Sequence, residues 1–330
     1  MRFNPEGRVR GFSLIELMVS IVIGLLVLLG VMNLFLSTMR TNRTTESVSR
    51  VQENARIAFE LMAFGLRQAG GTPCGTQSAI VNVLDKSSTG WTASPWFTTG
   101  LIGYGGTSLV LSSKKAGTDG MAYGYPASVG VTVETHNPES AEFKVNAGGH
   151  GIVDGTIAMV CDNTQATIFQ VTNANDTTRT IVHNTGNTVK PGNSTKSFGT
   201  MPADSECADK GDAYEYCANS VLVSYTSTAW YVGCNGRGSS CDAPGGRSLY
   251  QAIFPNAAQE VVPDVQDMQL AYKVGDAYVA AASVSDWTKV TAVRITLVLV
   301  GPESGATTGA NDNRLTRTLT HVVALRNQIQ

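Results

Sequence analysis

From Leu17 to Met39 the chain runs for 23 residues without a charge, as LMVSIVIGLLVLLGVMNLFLSTM. About 20 helical residues, rising roughly 1.5 Å each, cross a hydrocarbon core of about 30 Å. A helix is also the form that satisfies every backbone group without water. One end of this protein therefore belongs in a membrane, and its core must be built from the residues beyond Met39. Arg2, Arg8 and Arg10 precede the run against a single acid, Glu6. Such a basic flank stays cytoplasmic, which puts everything after Met39 on the exported side. A cleaved secretory signal would be shorter and would end at a small-residue site. Here the helical pattern simply continues, so the segment is predicted to remain as an anchor.

Of the 330 residues, 42% are hydrophobic and only 15% charged, with a net charge of -2. That disfavours a strongly cationic nucleic-acid binder. The 34 glycines, with abundant Thr, Ser and Asn, suit short strands and many turns. Four histidines, scattered singly, argue against a His-built metal site.

Glu16 complicates the anchor. A carboxylate at the mouth of an apolar helix needs a partner. A cut between Gly11 and Phe12 would create an amine on Phe12 able to serve, more easily between subunits than along one helix axis. The stretch GFSLIELMVSIVIGLLVLL resembles the class III signal of type IV pilins and type II secretion pseudopilins. That resemblance implies cleavage after Gly11 by the membrane prepilin peptidase and N-methylation of Phe12. It also implies that Glu16 pairs with the amine of a neighbouring subunit during assembly. Major pilins carry a mid-helix proline where this chain has Asn33, which points to a minor pilin or a pseudopilin. Gly24 and Gly30 either permit bending and close packing or are merely tolerated.

Beyond Arg40 the helical period persists. Val48, Val51, Ala55, Ala58, Met62 and Leu66 form a stripe, and Ile57, Leu61 and Phe64 are expected to widen it. Gly70-Gly71 and Pro73 end the helix. A broad stripe with alanines fits packing on a sheet better than a dimerising coiled coil. Period-two runs then predict strands at Ser108–Ser112, Val129–Glu134, Ile157–Cys161, Thr167–Val171, Thr180–His183, Val221–Tyr225 and Trp230–Gly233. Further alternation runs through Met268–Tyr272, Val293–Leu299 and Leu319–Leu325. Asn184–Asp204 and Gly301–Asn313 read as loops.

The helix end running into Cys74, the stretch from Cys161-Asp162 to Val171, the Val265–Tyr272 and Trp287–Arg294 segments, and the closing Leu325-Arg326-Asn327 together resemble PilW minor pilins. The implied fold class is α+β and type IV pilin-like: one long N-terminal helix, membrane-spanning in its first half, packed on a mostly antiparallel β-sheet domain with long loops. The expected divisions are a leader at 1–11, a transmembrane half-helix at 12–39, an amphipathic half-helix at 40–70 and an exported β-rich domain at 71–330. Residues 176–248 match nothing in that family pattern.

Six cysteines, Cys74, Cys161, Cys207, Cys217, Cys234 and Cys241, all lie on the exported side, where disulfides form. Sequence alone does not choose their connectivity. Pairing neighbours gives Cys207–Cys217 and Cys234–Cys241, leaving Cys74–Cys161 to staple the helix end to the sheet. A zinc site from the last four has the wrong spacing, with nine and six intervening residues. There is no G-x-S-x-G elbow, Walker loop or H-E-x-x-H pair, so catalysis and a cofactor find no motif. Gly103-Tyr104-Gly105-Gly106 reads as a turn before a strand. Trp91, Trp96 and Phe97 sit in a polar loop without an assigned role. Asp154, Asp162 and Asp176 lack the spacing of a calcium loop.

The resemblance thus implies a non-enzymatic minor pilin. It would rest in the inner membrane with its domain in the periplasm, then move to the pilus tip. Its expected partners are prepilin peptidase, other minor pilins, the major pilin and a tip adhesin. The implied functions are priming of assembly, twitching motility and adhesion. The alternatives are a type II secretion pseudopilin of the GspJ kind, or a DNA-receptor pilin in natural transformation. For the latter the sequence offers little: Lys114-Lys115 is the one adjacent basic pair.

Overall fold

Ser13 and Glu16 stand in the S-x-x-E spacing that starts helices. The computed structural model describes residues 13–75, 79–85, 100–106, 114–127, 130–186, 190–201, 213–253, 256–307 and 313–328. In it the long helix α1 (Leu14–Gln68) begins at this box. Ser13 Oγ accepts from the Ile15 N–H, and Glu16 Oε2 accepts from the Ser13 N–H, both at 3.4 Å. The helix runs unbroken through Asn33, as the absence of a proline predicts. The described chain falls into two units.

The first unit holds α1 up to Arg50 together with the described residues between Gly301 and Leu315. Hydroxyls in this part of the helix are satisfied locally. Those of Ser20, Thr38, Thr41 and Thr44 donate to the carbonyls four residues back, at 2.7–3.0 Å. Gly24 and Gly30 face open space in the single chain. The loop from Gly301 packs on the helix. Ala306 O accepts from Thr44 Oγ1 at 2.8 Å, and Gly301 sits where a Cβ would press on buried Ser47.

The second unit holds the rest of α1 and sixteen described strands. These are β1 (Ala79–Asn82), β2 (Leu101–Tyr104), β3 (Gly120–Pro126), β4 (Val131–Asn137), β5 (Glu142–Val145), β6 (Ile157–Cys161), β7 (Gln165–Gln170) and β8 (Asn173–Asn175). They continue as β9 (Thr180–Val182), β10 (Val221–Cys234), β11 (Arg247–Ile253), β12 (Gln259–Pro263), β13 (Val265–Val274), β14 (Ala277–Val279), β15 (Val290–Val300) and β16 (Thr316–Ala324). One sheet of twelve strands runs β1-β7-β6-β10-β4-β5-β9-β8, with β3–β2 and β11–β12 branching from β10. Among the described pairs only β1–β7 is parallel. The other sheet is a four-stranded antiparallel array, β14-β13-β15-β16.

The inner stripe of α1, from Val51 through Ala55, Ala58 and Met62 to Leu66, is buried. It shares one core with Val293, Ile295 and Leu297 of β15 and Met268 and Leu270 of β13. The sheet-packing expectation holds, but the width of the stripe does not. Ile57, Leu61 and Phe64 expose 39%, 45% and 65% of their surface. They form a separate apolar face pointing away from the core, because alanines and Gly65 let the helix sit close and leave a narrow contact. Gly65 packs directly on the Tyr123 ring, which takes a 2.8 Å hydrogen bond from Trp230 Nε1.

The helix ends as its glycines predict. Gly70 has φ +69°, a conformation that glycine adopts without strain. Asn327 Nδ2 then donates to the carbonyls of Gln68 and Ala69, both at 3.2 Å. The turn at Arg326–Gln328 thereby caps the last turn of α1.

Two expected strands, Val221–Tyr225 and Trp230–Gly233, are one. β10 runs 14 residues, its first part paired with β6 and β4, its second with β3 and β11. A strand buried on both sides loses its alternation, and Thr226–Thr228 then read as a break. β3 and β11 lie outside the expected strands, since GMAYGYP is glycine-broken and RSLYQAI is barely periodic. Of the Gly103–Gly106 stretch, Gly103 and Tyr104 are the last residues of β2, and Gly103 packs on the Tyr272 ring. The Ser108–Ser112 run lies outside the described residues.

Candidate functional site

The chemistry to which the sequence points begins at the head of α1. Glu16 is exposed, in the first turn, and among the described residues its carboxylate accepts from the Ser13 N–H alone, at the length of a weak hydrogen bond. That places a charge beside the unsatisfied N–H groups of a helix start, where a carboxylate is stabilised. Gly11 and Phe12, on which cleavage and methylation rest, lie outside the described residues. Behind Glu16, the side chains from Leu14 to Met39 are exposed throughout. This helix is long and apolar enough to cross a membrane, and none of its most apolar window is buried in the chain itself.

Beyond the apolar half of α1, the cysteines pair as expected where they are described. Cys74 is bonded to Cys161 with Cα atoms 5.9 Å apart, and Cys234 to Cys241 with Cα atoms 5.0 Å apart. The first bond closes an 87-residue separation and ties the segment after α1 to the end of β6. Cys217 is disulfide-bonded as well, and its expected partner Cys207 lies outside the described residues. A four-cysteine zinc site is thereby excluded, because Cys234 and Cys241 are bonded to each other.

The histidines are not the single groups the sequence suggested. His136 on β4 and His183 after β9 meet with Nε2 atoms 3.2 Å apart, both buried, stacked among Phe143, Phe198 and Tyr216. His136 Nδ1 accepts from the Tyr216 N–H at 3.1 Å. Its proton therefore sits on Nε2 and bridges to His183. Burial pushes the His136 ring down to about 3, and burial with its neighbour's charge pushes His183 well below the usual range. The pair is a neutral core element. Its spacing of 47 residues left no motif to find. His321 lies tilted against the Phe59 ring of α1, with centroids 5.3 Å apart, and His150 lies 3.0 Å from Asp176.

An open cleft of 790 Å³ lies beside the Cys74–Cys161 bond, lined in part by Asp162, Thr164, Tyr214, Cys217 and Asn219. Its carboxylate is already engaged. Asp162 accepts the Tyr214 O–H at 2.8 Å and the backbone N–H groups of Thr164 and Gln165. Among the described residues no three His, Cys, Asp or Glu side chains converge as metal ligands. The adjacent Lys114 and Lys115 are also engaged. Lys114 donates to the carbonyls of Gly106 and Thr118, and Lys115 pairs with Asp242 at 2.6 Å. Trp91, Trp96, Phe97 and Asn311-Asp312 lie outside the described residues; Asn313 O accepts from Thr307 N.

An exposed apolar helix headed by a glutamate and continuing onto a β-rich unit defines a type IV pilin-like protein. Residues 7–32 match the family model of the prokaryotic N-terminal methylation motif, and residues 244–327 match that of the type IV pilus-assembly protein W. The two matches lie near opposite ends of the chain, and together they support a PilW-like type IV pilin. Among solved structures, a type IV-like pilin from Thermus thermophilus is similar at 12% identity and a TM-score of 0.34, over 85% of this chain and 98% of that one. No curated protein matches the chain in sequence.

Proposed function

We propose that this chain is a minor pilin that helps prime type IV pilus assembly and takes a place at the pilus tip. It would first rest in the inner membrane, its β-rich unit in the periplasm. Prepilin peptidase would then cut after Gly11 and methylate Phe12. The observation that carries this reading is the exposed face of α1 from Leu14 to Met39, leading out of a methylation motif. Such a surface is stable in lipid or against other apolar helices, and not in water. Moving from one to the other is the mechanical step of assembly. Glu16 stabilises the move by trading its weak bond to Ser13 for the charged amine of a neighbouring subunit.

On this reading the protein performs no catalysis. Its partners are other minor pilins, the major pilin and a tip adhesin, and its outputs are twitching motility and adhesion. A type II secretion pseudopilin of the GspJ kind shares the N-terminal plan, but the match at residues 244–327 favours the pilus. A DNA-receptor role lacks support, since both residues of the adjacent lysine pair are held internally. Deleting the gene, with complementation, tests the assignment. Loss of surface pili with intact protein secretion is expected. Loss of secretion with normal pili would move the protein to the pseudopilins.

A further inference from the structure

Among the described residues, every sheet edge in the second unit is short or interrupted except one. β1 and β2 have four residues each, and β8 and β14 three. β12 has five, ends in Pro263 and faces a register shift at Leu249/Tyr250. These are the usual ways in which an edge is closed to further pairing. β16 uses none of them. It has nine residues and no proline, and its register with β15 is unbroken from Thr316 to Ala324. Among the described residues it pairs with β15 alone.

The ladder's phase tells which groups point outward. Leu325 N donates to Thr291 O at 2.9 Å, one step beyond the Ala324↔Ala292 pair. Antiparallel pairs alternate between bonded and non-bonded. Arg317, Leu319, His321 and Val323 therefore exchange bonds with β15. The N–H and C=O groups of Thr318, Thr320 and Val322 face away from it. All three residues are exposed or half-buried at this edge, Val322 at 48%.

We propose that the outer edge of β16 is a strand-addition site for an extended, acid-bearing segment of a neighbouring pilin subunit. The proposal rests on the minor-pilin reading above. Free alternating donors and acceptors are recognised by another extended backbone. Charge chooses among such backbones. From Thr316 to Gln328 the chain carries Arg317 and Arg326 and no carboxylate, and Arg294 lies one strand inward, opposite Val322. A second copy of β16 would bring like charge to like charge, whereas an acidic strand would be drawn in.

The test exploits the ladder phase. Val322→Pro removes an N–H that points away from β15, so the strand can keep its place in the sheet while the edge is blocked. Val322→Thr keeps the N–H. Full-length wild-type and variant chains are expressed in cells lacking the native gene, and sheared filaments are probed for the subunit. We expect Val322→Pro to lower its amount in filaments at least tenfold, with unchanged membrane levels, and Val322→Thr to leave it unchanged. Equal incorporation of wild type and Val322→Pro overturns strand addition while leaving the minor-pilin reading intact. Absence of the wild type from filaments overturns both. If Val322→Pro does not accumulate in membranes, Arg317→Glu decides, with a tenfold loss expected and no loss contradicting the proposal. Two differently tagged copies that co-isolate only when Val322 is intact would assign the edge to a second copy and overturn it as well.

Discussion

Along α1, the leucines from Leu25 to Leu36 expose between 47% and 70% of their surface, while Val51, Ala58, Met62 and Leu66 expose 2% or less. Both segments lie in one continuous helix, and their chemistry differs in arrangement more than in hydrophobicity. The first is apolar all round and has no core of its own to enter. The second concentrates its apolar groups on one stripe, breaks the rest with Arg50, Glu53, Arg56 and Glu60, and closes a core against β13 and β15. An all-round apolar helix therefore reports a surface meant for something outside the chain. A striped one reports where the chain folds on itself.

Perturbations of stability should respect that division. The largest effect is expected from removing the Cys74–Cys161 bond as a double serine variant. Freeing a loop of this size costs about 4 to 5 kcal/mol by chain entropy. Denaturant unfolding of the detergent-solubilised chain should show the loss in the β-rich unit, with the helicity of the first half of α1 retained. Next, Leu66→Ala should cost about 3 kcal/mol, since it empties a fully buried site. Leu26→Ala should leave that transition where it was, and an equal shift for both would erase the distinction between the two halves.

Acid should then act on the core through its buried histidines. His136 titrates near 6.5 when unfolded and near 3 when folded. Above pH 6.5 both states are neutral and the stability is whole. As pH falls below 6.5 the unfolded chain takes up a proton that the buried ring refuses, and stability declines until about pH 3. At pH 4.5 the loss from this ring is about 2 to 3 kcal/mol. His136→Phe should lower the slope across that window, leaving the part that buried His183 contributes, and an unchanged slope would show that the His136 ring does not contribute to the acid limit. The smallest effect is expected at the outward face of α1. Leu61→Ser, on a residue 45% exposed, should change stability by no more than about 0.5 kcal/mol.

The helix, its glycine-marked end, the C-terminal alternating strands and the class III signal are legible in the sequence because each rests on local spacing. Glu16 announces itself as a lone charge in an apolar run. Its S-x-x-E cap is equally local, yet it is easily passed over beside the family motif. Other features are set by distant partners. The stripe reads as wider than it is because period alone does not reveal how close Gly65 lets Tyr123 approach. The His136–His183 bridge and the Asn327 cap join residues far apart in sequence. β10 reads as two strands because burial on both faces removes the alternation that would mark it as one. The outer edge of β16, which pairs with no strand among the described residues, depends on what does not lie beside it, which no spacing records.

If α1 leaves the membrane for a filament, Glu16 is the group that pairs across subunits, and Glu16→Ala is the decisive variant. The full-length variant is expressed in place of the wild type, with leader removal and filament content both scored by immunoblot. Normal cleavage after Gly11 is expected, with the subunit absent from sheared filaments. A variant that is cleaved and found in filaments at the wild-type level would contradict the role given to Glu16 and, with it, the pairing step of assembly.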